Sequence, residues 1–208
     1  MLSVPFLSNF VLFLSEHHTH FTRHVLRCPV KSAERVHHLS VVYGIYDEDH
    51  DDEDHDGGSL ALASEKGYLG TVAFLVTRRD ADIHINNDYA LICASENGHL
   101  EVIKFLILKG ANIHANNDCA LTCASMHGHL EVTQFLILKG ANVHANNDEA
   151  LICASMSGHL EVVQFLIGVG ADVHADSDGA LMWALLYNHS DVAKLLILHG
   201  GRSRRVAR

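Results

Sequence analysis

The amino-acid sequence predicts an all-α solenoid of stacked helix-turn-helix units. Three observations predict it: a thirty-residue period through the C-terminal part of the chain, glycines recurring where apolar segments stop, and short apolar segments with helical spacing. The 208 residues leave room for one sizeable domain or two small ones, and a 48% hydrophobic content suits a folded core.

In chain order, residues 1–46 come first as a segment of unassigned structure. Met1 to Leu14, MLSVPFLSNFVLFL, has the length of a signal-peptide apolar region but neither a basic start nor a small-residue cleavage site, so an apolar helix or leader is the expectation. No apolar run reaches the roughly 18 to 20 residues of a membrane-spanning helix, and no membrane partner is expected. Residues 47–56 form an acidic linker holding eight Asp and Glu, while Arg202, Arg204, Arg205 and Arg208 crowd the other end. A net charge of -10 argues against a general nucleic-acid binder, which needs clustered Lys and Arg.

The repeat array, residues 57–207, follows. Residues 88–117, DYALICASENGHLEVIKFLILKGANIHANN, and 118–147, DCALTCASMHGHLEVTQFLILKGANVHANN, agree at twenty-three of thirty positions. Residues 148–177 continue the series, 178–207 form a divergent last unit, and about 57–87 form a degraded first one with one extra residue. Within a unit, Asp88, Asp118, Asp148 and Asp178 stand where a carboxylate would N-cap a first helix. That helix is short and rich in small residues, such as Ala90, Ala94 and Ser95, which permit close approach of a neighbour. Gly98, Gly128 and Gly158 end it, with Asn188 as the next best residue for a left-handed closure. A second helix runs from about Leu100 to Lys109, with Glu101 at its positive end and Lys109 at its negative end, and Gly110, Gly140, Gly170 and Gly200 stop it. One such pair cannot bury Leu91, Leu100, Ile103, Leu106 and Ile107 alone, so units must stack, and Trp183 is placed to close one end.

The segment ALICASENGHLEVIKFLILKGANIHA resembles the ankyrin repeat: a small-residue first helix, a GHLEVV-like start to the second, and a GADVNA-like exit. The thirty-residue period and its wording further resemble the ankyrin repeats of giant DNA viruses. Two departures stand out. Ankyrin units usually have about 33 residues and a TPLH opening, whereas Tyr89, Ala90, Leu91 and Ile92 occupy those places here, and three residues are missing between Gly110 and Asp118. Shortened fingers or plain turns are therefore expected where ankyrin repeats carry a β-hairpin tip.

The resemblance implies a protein-binding module whose first helices line a concave face. Comparing the units with one another picks out positions free of the stacking constraint: Tyr89, Ile92, Glu96 and Asn97; Cys119, Thr122, Met126 and His127; Glu149, Ile152, Met156 and Ser157. These are the expected partner contacts, Met126 and Met156 being suited to adaptable packing. Leu108, Leu138 and Leu198 fall where a wet surface would carry charge, so they predict an exposed apolar stripe or a packing role.

Chemistry has less support. Of eighteen histidines, eight are repeat positions, His84, His114, His144 and His174 with His99, His129, His159 and His189. Helices in contact lie about 8 to 10 Å apart, too far for successive rungs to share a zinc with bonds of about 2 Å, so these residues are expected to be structural. Cys93, Cys123 and Cys153 read as small core residues, spaced too widely in a stack for disulfides between adjacent units, which favours a reduced, intracellular, cytoplasmic setting. Asp52, Asp54, Asp56 and Gly57 match the first half of a calcium loop, but Ala63 stands where its bidentate Glu is required, so a solvated acidic linker is the default. No phosphate-binding glycine loop, nucleophile elbow or Cys, His and acid set lies outside the repeat lattice. The expectation is a non-enzymatic monomer with no cofactor, no metal and an unidentified protein partner. The competing readings are a metal-responsive acidic or His-rich segment on a structural array, and a decayed repeat protein without a specific partner.

Overall fold

The computed structural model describes residues 55–201. Ten helices and no strand occur among the described residues: α1 His55–Glu65, α2 Leu69–Arg78, α3 Ile85–Glu96, α4 Leu100–Leu108, α5 Cys119–Met126, α6 Leu130–Leu138, α7 Glu149–Ser157, α8 Leu160–Gly168, α9 Ala175–Leu186 and α10 Ser190–Leu198. All belong to the unit Asp52–Arg208. Each consecutive pair is one repeat. The odd helices pack in series, α1 on α3, α3 on α5, α5 on α7 and α7 on α9, while α2 meets α4, α6 meets α8 and α8 meets α10 in a second, looser layer. This is the expected all-α solenoid.

Small residues explain the closeness of the odd layer. Ala94, Ala124, Ala154 and Ala184 have no measurable exposure and let neighbouring helices approach, and Leu91, Leu121, Leu151 and Leu181 fill the space toward the even layer. There Leu106, Leu136, Leu166 and Leu196 are likewise fully buried. Burying one such leucine is worth about 1.5 to 3 kcal/mol, and each is shared with neighbouring units, so no pair of helices has a core of its own.

The first helices end as expected. Gly98, Gly128 and Gly158 have φ of 74°, 76° and 79°, and Asn188 substitutes at 62°. A second constraint was not legible. The imidazole of the next unit lies against each glycine, so a Cβ at Gly98 would sit 2.6 Å from Nδ1 of His129. The Nε2–H of His99 donates to the Glu65 carbonyl at 2.8 Å, that of His129 to the Glu96 carbonyl at 2.9 Å, and that of His189 to the Met156 carbonyl at 2.9 Å. This histidine row therefore links each unit to the one before it.

The turns correct the N-cap expectation. Asp118 and Asp148 do precede α5 and α7, but neither side chain caps its own helix. Asn116, Asn117 and Asp118 are left-handed at φ of 51°, 56° and 58°, as are Asn86 to Asp88, Asn146 to Asp148, and Asp176 to Asp178. Asn and Asp tolerate this conformation better than other residues with a Cβ. The carboxylate is held elsewhere. Oδ1 of Asp88 accepts from the Asn112 N–H at 2.8 Å, Asp118 from Asn142 at 2.9 Å, and Asp148 from Asp172 at 2.8 Å, tying the turn entering each unit to the turn leaving it. The same oxygen accepts from Nδ1 of His84, His114 or His144 at 3.0 to 3.1 Å. Plain left-handed turns thus replace the finger.

Among the described residues the last unit is capped incompletely. Trp183 is half-buried and stacks on Tyr187, one helical turn away, with ring centroids 6.0 Å apart. Leu185 replaces the buried Ser155 of the unit before and is 45% exposed.

Candidate functional site

The carbonyl-to-histidine ladder sets the register in which the units can be compared. Glu65, Glu96 and Met156 each accept from the following unit's imidazole, so they are equivalent, and Met126 and Leu186 continue the row by the thirty-residue period. This row lies at the C-terminal end of the odd helices and is partly exposed throughout.

Three of the twelve expected contact residues are corrected by burial. Ile92, Cys119 and Thr122 are 1%, 3% and 6% exposed. The adjacent odd helices pack over them, so variation between units at these positions is variation of the core. Sγ of Cys119 lies 3.7 Å from Sγ of Cys123, inside the stack. The other nine reach the surface at least in part.

Several of those nine are also tied to the scaffold. Asn97 Nδ2 donates to the Cys93 carbonyl at 2.9 Å, and His127 Nδ1–H donates to the Cys123 carbonyl at the same distance, so both cap the helix that carries them. His127 Nε2 lies 3.9 Å from Glu96 Oε1, and its ring stacks on His129 at 6.3 Å. Glu149 Oε2 accepts from Asn146 Nδ2 at 2.9 Å. The Tyr89 hydroxyl is pushed well above its ordinary range, first by burial, then by Cys93, Glu96 and Glu65. Tyr89, Glu96 and Glu65 thus share one neighbourhood.

The even helices present a different surface. Leu108, Leu138 and Leu198 are each 80% exposed, so the apolar stripe exists, interrupted by Gly168 in α8. Lys109 and Lys139 bend over Phe105 and Phe135, with Nζ 5.6 and 5.5 Å from the ring centroids. The sequence reading missed the placement of charge: every Lys after Arg79 lies on or just beyond an even helix, and none lies on α3, α5, α7 or α9. The signal was present in the repeat alignment.

The histidine rows have scaffold roles, and among the described residues no group of three or more His, Cys, Asp or Glu is arranged to hold a metal ion. Of the calcium-loop half-match, Asp52 and Asp54 lie outside the described residues, and Asp56 and Gly57 fall in α1. Among the described residues, no helix is long and apolar enough to cross a membrane.

No curated protein matches the chain, so the narrower resemblance to giant-virus repeats has no relative behind it. The description "Ankyrin repeats (3 copies)" matches residues 60–147 and 139–204, the stretch in which the helix pairs, glycine closures and histidine ladder recur. The chain belongs to the ankyrin-repeat family.

Proposed function

We propose that the array is a protein-binding module and that its partner docks on the exposed positions of the odd helices. Ankyrin repeats are in general protein–protein interaction modules. The observation that carries the site is the contrast within near-identical units: most positions repeat, whereas partly exposed ones on the odd helices change, Tyr89 giving way to Glu149 and Glu96 to Met126 and Met156, with Ile152 partly exposed beside them. Asn97, His127 and Ser157 form the edge of that surface. Variation alone does not mark a contact, since the buried Ile92, Cys119 and Thr122 vary too; residues that read a partner must be both variable and accessible.

Proximity labelling in the native cell, comparing wild type with a Tyr89→Ala, Met126→Ala, Met156→Ala triple variant, tests this reading. The expected result is loss of labelled proteins with the melting temperature nearly unchanged, because partly exposed side chains contribute little to stability. An unchanged set of labelled proteins together with an unchanged melting temperature would overturn it.

A further inference from the structure

Charge is segregated between the two layers of the array. From Asp80 onward, the turns and odd helices, residues 80–98, 111–128, 141–158 and 171–188, contain acids but neither Lys nor Arg. The even helices balance Glu101, Glu131, Glu161 and Asp191 against Lys104, Lys109, Lys139 and Lys194. Two of these pairs close locally, Lys104 on Glu101 at 2.6 Å and Lys194 on Asp191 at 3.1 Å. One layer is therefore near neutral, and the other carries an excess of acids, although in residues 111–128 the one acid, Asp118, is buried. Its acids also span several units: Asp82 and Glu96 lie in or beside the second, Glu149 begins α7, and Asp172 and Asp176 are exposed in the last turn. Between them Ile152, Met156, Met182 and Leu186 are partly exposed on α7 and α9.

A field of one sign over a surface selects partners of the other sign and speeds their approach. The apolar strip between the acids favours side chains with both an apolar body and a cationic tip, since Lys and Arg lay their methylene stems on apolar surface while the charge stays in water. We propose that the partner of the odd-helix face is a cationic protein segment in which Lys or Arg alternates with apolar side chains. This rests on the docking reading above. Glu96 and Glu149 then meet cations, and Ile152, Met156 and Leu186 meet the apolar positions between them.

The test uses the full chain and a fluorescein-labelled amphipathic helical peptide of Lys and Leu, about eighteen residues long so that it can fold on binding, read by fluorescence anisotropy at low salt. Glu96→Lys/Glu149→Lys and Glu131→Lys/Glu161→Lys change the net charge equally but on opposite layers. The expected result is affinity about tenfold weaker for the first pair and changed less than about threefold for the second. A milder Glu96→Gln/Glu149→Gln variant, with its fold checked by circular dichroism, is expected to weaken binding by about threefold. Equal weakening by both Lys pairs, or equal binding of a Glu and Leu peptide, overturns the proposal. Binding that tightens tenfold when Arg202, Arg204, Arg205 and Arg208 are replaced by Gln also overturns it, because the chain's own tail would then be the occupant. Should the Tyr89, Met126, Met156 variant lose its labelled proteins while Glu96→Lys/Glu149→Lys keeps them, the docking face stands and the cationic partner falls.

Discussion

Helices α5 and α6 belong to one repeat and are built on opposite plans. In α5 every residue but Met126 is buried, and apart from Leu121 all the buried ones are Cys, Ala, Thr or Ser. In α6 only Val132, Thr133 and Leu136 are buried, while Glu131, Gln134 and Leu138 are exposed. The odd layer gains its stability by proximity, with small side chains allowing backbones to approach. The even layer gains it by volume, with one large leucine per unit filling a looser space.

Opposite substitutions should therefore break the two layers. Leu136→Ala is expected to cost about 3 kcal/mol by leaving a cavity, and Ala124→Leu about 2 kcal/mol by forcing neighbouring odd helices apart. Chemical denaturation of each variant checks both, and a neutral Ala124→Leu would mean that the odd layer is not closely packed.

The turns supply a smaller effect. Asp118→Ala removes the acceptor for the Asn142 N–H and for His114 and is expected to cost about 1 kcal/mol. Amide exchange should quicken at Asn142, which would not follow if Asp118 served only as a helix cap.

The smallest effect is electrostatic. His159 is pushed below its ordinary range by burial, a shift opposed by the Met126 carbonyl and reinforced by His127, His129 and His189. The fold thus favours neutral His159. Its contribution is present at pH above the ordinary histidine range and is lost as pH falls through the depressed value. Between pH 7.5 and pH 5 the wild type should lose more stability than His159→Gln, measured by urea midpoint; parallel losses would place the acid sensitivity elsewhere.

Much of the array was legible because each helix boundary is a local matter. Glycine or asparagine at the left-handed closure, the run of small residues and the spacing of leucines all act within a few residues of where they are read. The aspartates show where such reading stops. Asp118 stands in the position of an N-cap, but its partner is the Asn142 N–H, twenty-four residues on, and only the stacking of turns brings the two together. Ile92, Cys119 and Thr122 were misplaced for the same reason: a variable position on a short helix is surface or core according to where the next helix lies, and that helix comes from another repeat.

The amino-acid order by itself thus determined the period, the helix pairs and the family, since these follow from backbone preferences and apolar spacing repeated in register. Tertiary packing decided which variable residues face outward and which neighbour each carboxylate and imidazole joins. Those outcomes depend on distances between units, and a distance between units exists only once they have stacked.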